Sequence, residues 1–109
     1  MANKYRGEID ATLDSEPRRL CLTLGALAEL EDAFGGEDML SVARRFEGGE
    51  IAARDAIRVI GAGLRGAGAD VSDAEVSRMR AEGGATGFVD IVARLLAATF
   101  LSEVAPGKR

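Results

Sequence analysis

The hexapeptide Gly61-Ala62-Gly63-Leu64-Arg65-Gly66 fits the spacing G-x-G-x-x-G. In a strand–turn–helix unit those glycines let backbone amides approach a pyrophosphate. Here a helical pattern precedes them, and Ala67-Gly68-Ala69-Asp70 leads on to a helix cap at Ser72. The crossover unit of about 30 residues followed by an acidic residue is missing. The run reads instead as small side chains that let a helix approach another helix closely before it frays into a flexible connection. Other chemistries fail on composition. The chain has no histidine and one cysteine, Cys21. That removes the usual general base near neutral pH, the His-dependent triads and dyads, and structural zinc. Cys21, among apolar neighbours, reads as a buried small hydrophobe. Glu29, Glu31 and Asp32 read as the polar outer face of a helix, Glu37 and Asp38 as a helix start, and no stretch has the alternating oxygen ligands of a calcium loop. No catalytic, cofactor-binding or metal-binding residue is expected, and no enzymatic activity.

What remains is recognition of other proteins. Arg54, Arg58 and Arg65 stand at i, i+4 and i+11, within about 40° of one another on a helix. The stripe is either a solvated helix face or a docking surface for an acidic partner. Between Leu20 and Ala43 there are five acidic residues and no basic one, so that partner could be a second copy of this chain. Phe100 continues the apolar stripe of the last helix and Val89 and Leu101 broaden it, which makes that helix either central in the core or partly committed to another chain. A net charge of −4 argues against nucleic acid as a principal partner. A helix-turn-helix over 56–80 would need a tighter connection than Gly66 to Val71 offers.

The elements that would position these residues follow from periodicity. Ile9, Ala11 and Leu13 alternate with polar residues, Asp14 to Pro17 supply turn chemistry, and a second alternating run begins at Arg18, so residues 6–23 read as a β-hairpin. At Leu20 to Phe34 the period changes from two to three-to-four, so a strand runs almost directly into a helix capped by Thr23. That helix ends at Gly35-Gly36. Asp38 caps a second helix that ends at Gly48-Gly49. A third runs from about Ile51 to Leu64. Ser72 and Glu75 have capping-box spacing for a short fourth helix ending near Arg80, and a strongly apolar fifth spans about 86–102. The fold class is therefore α+β, mainly α: an N-terminal hairpin packed on four to five helices (24–102), in one domain of 109 residues, with a frayed tail at 103–109. No run approaches the roughly 20 apolar residues of a membrane span. With a single cysteine and no signal-peptide core, a cytoplasmic location is expected.

Three blocks, RGEIDATLDSEPRRLCLTLGALAELEDAFG, RDAIRVIGAGLRGAG and GFVDIVARLLAATF, resemble the small tail proteins encoded in gene transfer agents, the phage-like particles of alphaproteobacteria. These are related to phage tail-assembly chaperones, and the family is also labelled a tail tube protein. The resemblance implies a non-enzymatic assembly factor that binds the tape-measure protein, the tail-tube protein or both. The alternatives are a structural tail or tail-tube subunit retained in the particle and a small regulatory adaptor.

Overall fold

Alternation puts Ile9, Ala11 and Leu13 on one side of a strand, and the computed structural model, which describes residues 2–3 and 6–100, buries all three. Strands β1 (Glu8–Leu13) and β2 (Glu16–Cys21) pair antiparallel, with Ile9 opposite Leu20 and Leu13 opposite Glu16. The turn is tighter than the sequence suggests. Only Asp14 and Ser15 form it, both with positive φ (55° and 65°), the two-residue type I′ geometry whose twist matches a hairpin. Pro17, read above as a turn residue, lies in β2 opposite Thr12. Because Leu13 and Glu16 close the loop as a hydrogen-bonded pair, Thr12 and Pro17 form the next, non-hydrogen-bonded pair. The nitrogen of Pro17 therefore faces outward, where no ladder donor is needed.

The chain turns at Thr23, whose Oγ1 accepts from the Ala26 amide at 3.1 Å, into α1 (Leu24–Ala33). Asp38 caps α2 (Met39–Glu47) in the same way, its Oδ1 accepting from Ser41 N at 2.9 Å. Phe34 and Phe46 meet edge to face, with centroids 6.3 Å apart, and so tie the end of α1 to α2.

Helix α3 (Ala53–Gly66) runs two residues past Leu64, where the sequence reading ends it in a frayed connection. Glycine is a poor helix former in isolation, but packing decides here. Gly61 and Gly63 are buried, and a Cβ on Gly63 would press on Leu20 and Leu95, while one on Gly66 would overlap the Cys21 carbonyl oxygen. The close approach is thus made to strand β2 at Gly63 and Gly66 and also to α5 at Gly63, while Gly61 makes room for the Asp73 carboxylate. Ser72 and Glu75 complete both halves of the capping box that opens α4 (Asp73–Val76), which ends earlier than expected. Helix α5 (Ala85–Phe100) closes the described part. The expectations for Leu101 and for the tail at 103–109 fall outside the described residues.

One cluster of buried side chains draws on the hairpin and all five helices, with Leu13, Leu20, Val59, Leu64, Val92 and Leu95 fully enclosed. Each such aliphatic side chain contributes about 1.5–3 kcal/mol. Helix α3 lies at the centre, packed against β2, α1, α4 and α5.

Candidate functional site

The three arginines of the α3 stripe have separate fates. Arg65 binds the Val71 carbonyl (3.0 Å) and Asp73 Oδ1 (3.1 Å), and it pairs with Glu29 of α1. Burial alone would push its pKa down, but the hydrogen bonds to Glu29 and Asp73 and their charges reverse this, and the net shift is upward. Arg58 donates to the Ala33 carbonyl at 3.3 Å and lies 6.0 Å from the centroid of the Phe34 ring. Both thus join α3 to its neighbours within the chain. Arg54 is exposed and has no ion pair among the described residues. The sequence spacing is correct, but the partner of Arg65 in α1 lies 36 residues away and left no local signal.

Val89 and Phe100 stand on the outer side of α5 with Ala93 and Ala97 between them, at i, i+4, i+8 and i+11. Ile91, Val92, Leu95 and Leu96, at i, i+1, i+4 and i+5, face the core. Two alanines between bulkier ends make a concavity. Helix α2 supplies its other wall through Leu40, Ala43 and Arg44, giving a groove of about 280 Å³. On the other flank of α5 a second groove, of about 350 Å³, lies between α3 and α4 and is lined by Ile57, Ile60, Met79 and Phe88 among others. Ile51 and Val89 belong to both, so Val89, 45% exposed, is a ridge between two apolar hollows. Leu40, 48% exposed, widens the same face. Sequence reasoning found Val89 and Phe100 from the breadth of the α5 stripe. It missed Leu40, Ile51 and Met79, because the grooves are assembled from four helices and no one segment carries their pattern. The apolar face and the Arg58–Arg65 pair lie on different sides of α3.

A third hollow, of about 240 Å³, lies where β1 meets α5 and has a polar lining. Its cation, Arg94, is held by Asp90 at 3.0 Å and by the Asp10 carbonyl at 2.9 Å, which spends it on packing α5 against the strand. Hydrogen bonding from the Ala2 amide, followed by the Arg19 side chain, holds the Asp10 carboxyl below its ordinary range. Cys21 is half-buried rather than enclosed. Its thiol donates to the Arg6 carbonyl at 3.6 Å, and burial, aided by Glu8, pushes its pKa up. A thiol held protonated is a poor nucleophile. Among the described residues no group of three or more Cys, Asp or Glu side chains is placed to hold a metal ion, and no helix is long and apolar enough to cross a membrane. The face around Val89 is thus the broadest apolar concavity described, and its walls suit apolar side chains.

The family described as phage tail tube protein, GTA-gp10, covers residues 6–102. No curated protein and no solved structure matches the chain significantly.

Proposed function

The chain belongs to the phage tail tube protein family GTA-gp10, and we propose that within it the chain is a non-enzymatic assembly factor of a phage-like tail. It docks on the tape-measure protein, the tail-tube protein or both, and it works in the cytoplasm while the particle is being built. The observation that carries this reading is the pair of apolar grooves meeting at Val89. Exposed apolar surface of this kind suits a transient polypeptide partner.

The family description itself favours a second reading, a subunit retained in the tube. A wall built by pairing strands between subunits needs open sheet edges. The sheet described here has two strands, and its edges are blunted. The outer edge of β1 is occupied at Asp10, whose carbonyl accepts from Arg94, and at Asp14, whose amide bonds to Arg80. β2 carries Pro17 on its outer edge. These features support the assembly factor over the strand-paired subunit.

Co-expression with the tape-measure and tail-tube proteins tests the proposal. Either should become soluble or co-purify only when this chain is present, and Val89→Asp should abolish the effect. Finding the chain in stoichiometric amount in purified particles, with neither protein dependent on it, would instead assign it to the tube.

A further inference from the structure

We infer that the groove between α3, α4 and α5 takes an amphipathic helix with acidic flanks from the partner. This rests on the docking role above and goes further by naming the chemistry of the segment that is bound. Ser77 is the one polar side chain in its lining, so a small molecule would find little to orient it, whereas apolar residues at i, i+3, i+4 and i+7 of a helix need only apolar walls. Met79 adds an adaptable side chain to those walls.

The charge argument comes from how the arginines are used. Arg6, Arg18, Arg19, Arg45, Arg65 and Arg94 all have carboxylate partners. Arg58 is committed to Ala33 and Phe34. Arg44, Arg54, Arg78 and Arg80 are exposed and have no ion pair among the described residues. Arg44 lines the groove on the α2 side and Arg80 stands at the contact with the hairpin tip, whereas Arg54 precedes the lining residue Ile57 by one helical turn and Arg78 lies between Ser77 and Met79. Arg54 thus borders the groove at the edge of α3 that turns toward Arg58, and Arg78 borders it just after α4. Of the carboxylates adjoining its walls, Glu75 is used in the capping box and Asp90 holds Arg94. Asp55 is about 200° around α3 from Ala53, which leaves Glu50. In a chain of net charge −4, two uncommitted cations beside an apolar groove favour acidic residues on the occupant, for specificity and rate of encounter.

The probe is an array of overlapping peptides, about 20 residues each, spanning the tape-measure and tail-tube proteins encoded with this chain, challenged with the labelled full chain. Captured peptides should combine a helical apolar stripe with an excess of Asp and Glu. Arg54→Glu with Arg78→Glu should weaken capture by about tenfold, and Val89→Asp should remove it. If the double variant loses its helical circular-dichroism signal, Arg54→Glu alone, on an exposed first-turn residue, replaces it. Capture of neutral or basic peptides, or capture unchanged by charge reversal, overturns the inference while leaving the docking role intact, provided the full-length tail proteins still co-purify. If none co-purifies and no peptide is captured, both readings fall. A dimer of this chain in sedimentation equilibrium that Val89→Asp dissolves would give the groove to a second copy and also overturn the inference.

Discussion

Asp14 and Arg80, 66 residues apart, exchange two hydrogen bonds: the Asp14 amide donates to the Arg80 carbonyl at 2.8 Å, and the Arg80 amide donates to Asp14 Oδ1 at 2.9 Å. With the bridge between Leu13 and Ala81, this pair fastens the hairpin tip to the loop between α4 and α5. A two-stranded hairpin is marginal alone, and its tip is held here by a loop far away in sequence.

That tip carries a cost open to measurement. Ser15 has φ of 65°, and a left-handed non-glycine residue costs about 1–2 kcal/mol, against about 0.5–1 kcal/mol lost to unfolded-state entropy when glycine replaces it. Ser15→Gly should therefore stabilise the chain by about 0.5–1 kcal/mol and raise Tm by a few degrees in a thermal melt. Asp14→Gly relieves the same strain but removes the acceptor for the Arg80 amide, so it should gain less or lose stability.

The glycines of α3 should respond with the opposite sign to that of glycines in an exposed helix, where alanine is favoured by about 1 kcal/mol. A Cβ on Gly66 would overlap the backbone oxygen of Cys21, which cannot rotate away; one on Gly63 would press on the side chains of Leu95 and Leu20; one on Gly61 would meet the movable Asp73 carboxylate. Gly66→Ala should cost about 3 kcal/mol or more, at the upper end for overpacking. Gly63→Ala should cost less and Gly61→Ala least. Urea unfolding of the three variants checks the order.

The same residues show why part of the fold is legible and part is not. Thr23, Asp38 and the Ser72–Glu75 box act on amides within three residues, and all three caps stand where local chemistry puts them. The left-handed turn is made by Asp14 and Ser15 without glycine, so Pro17 was the stronger turn signal although it belongs to β2. The helix read to about Leu64 extends to Gly66 because strand β2 lies against its last turn, with the Cys21 carbonyl where a Cβ on Gly66 would stand. At the candidate site Val89 and Phe100 are visible in the α5 stripe, while the groove walls come from α2, α3 and α4 and exist only after folding.

Acid should weaken α2 through its cap. Hydrogen bonds from the Ser41 backbone and side chain hold the Asp38 carboxyl below its ordinary range. A carboxylate whose folded pKa is depressed contributes stability that is fully present above the unfolded value, about 3.9, and is lost as pH falls through the folded one. Asp38→Asn keeps a capping oxygen but does not titrate. It should flatten the fall in helical signal below about pH 4 that the parent chain shows in an acid titration.

The arginine stripe yields the prediction that separates structure from binding. Arg65→Ala removes contacts to Glu29, Asp73 and Val71. These side chains are partly exposed (28%, 46% and 44% for Arg65, Glu29 and Asp73), so solvent screening limits the loss to about 1 kcal/mol, shrinking in high salt. Arg58→Ala gives up its place on Phe34, worth about 0.5–1 kcal/mol, with little salt dependence. Arg54→Ala should leave stability within about 0.5 kcal/mol and reduce partner capture. Stability falling in the order Arg65, Arg58, Arg54 while capture responds to Arg54 would divide the stripe between folding and docking. Capture that instead tracks Arg58 and Arg65, at unchanged stability, would move the docking surface to the α1 side of α3.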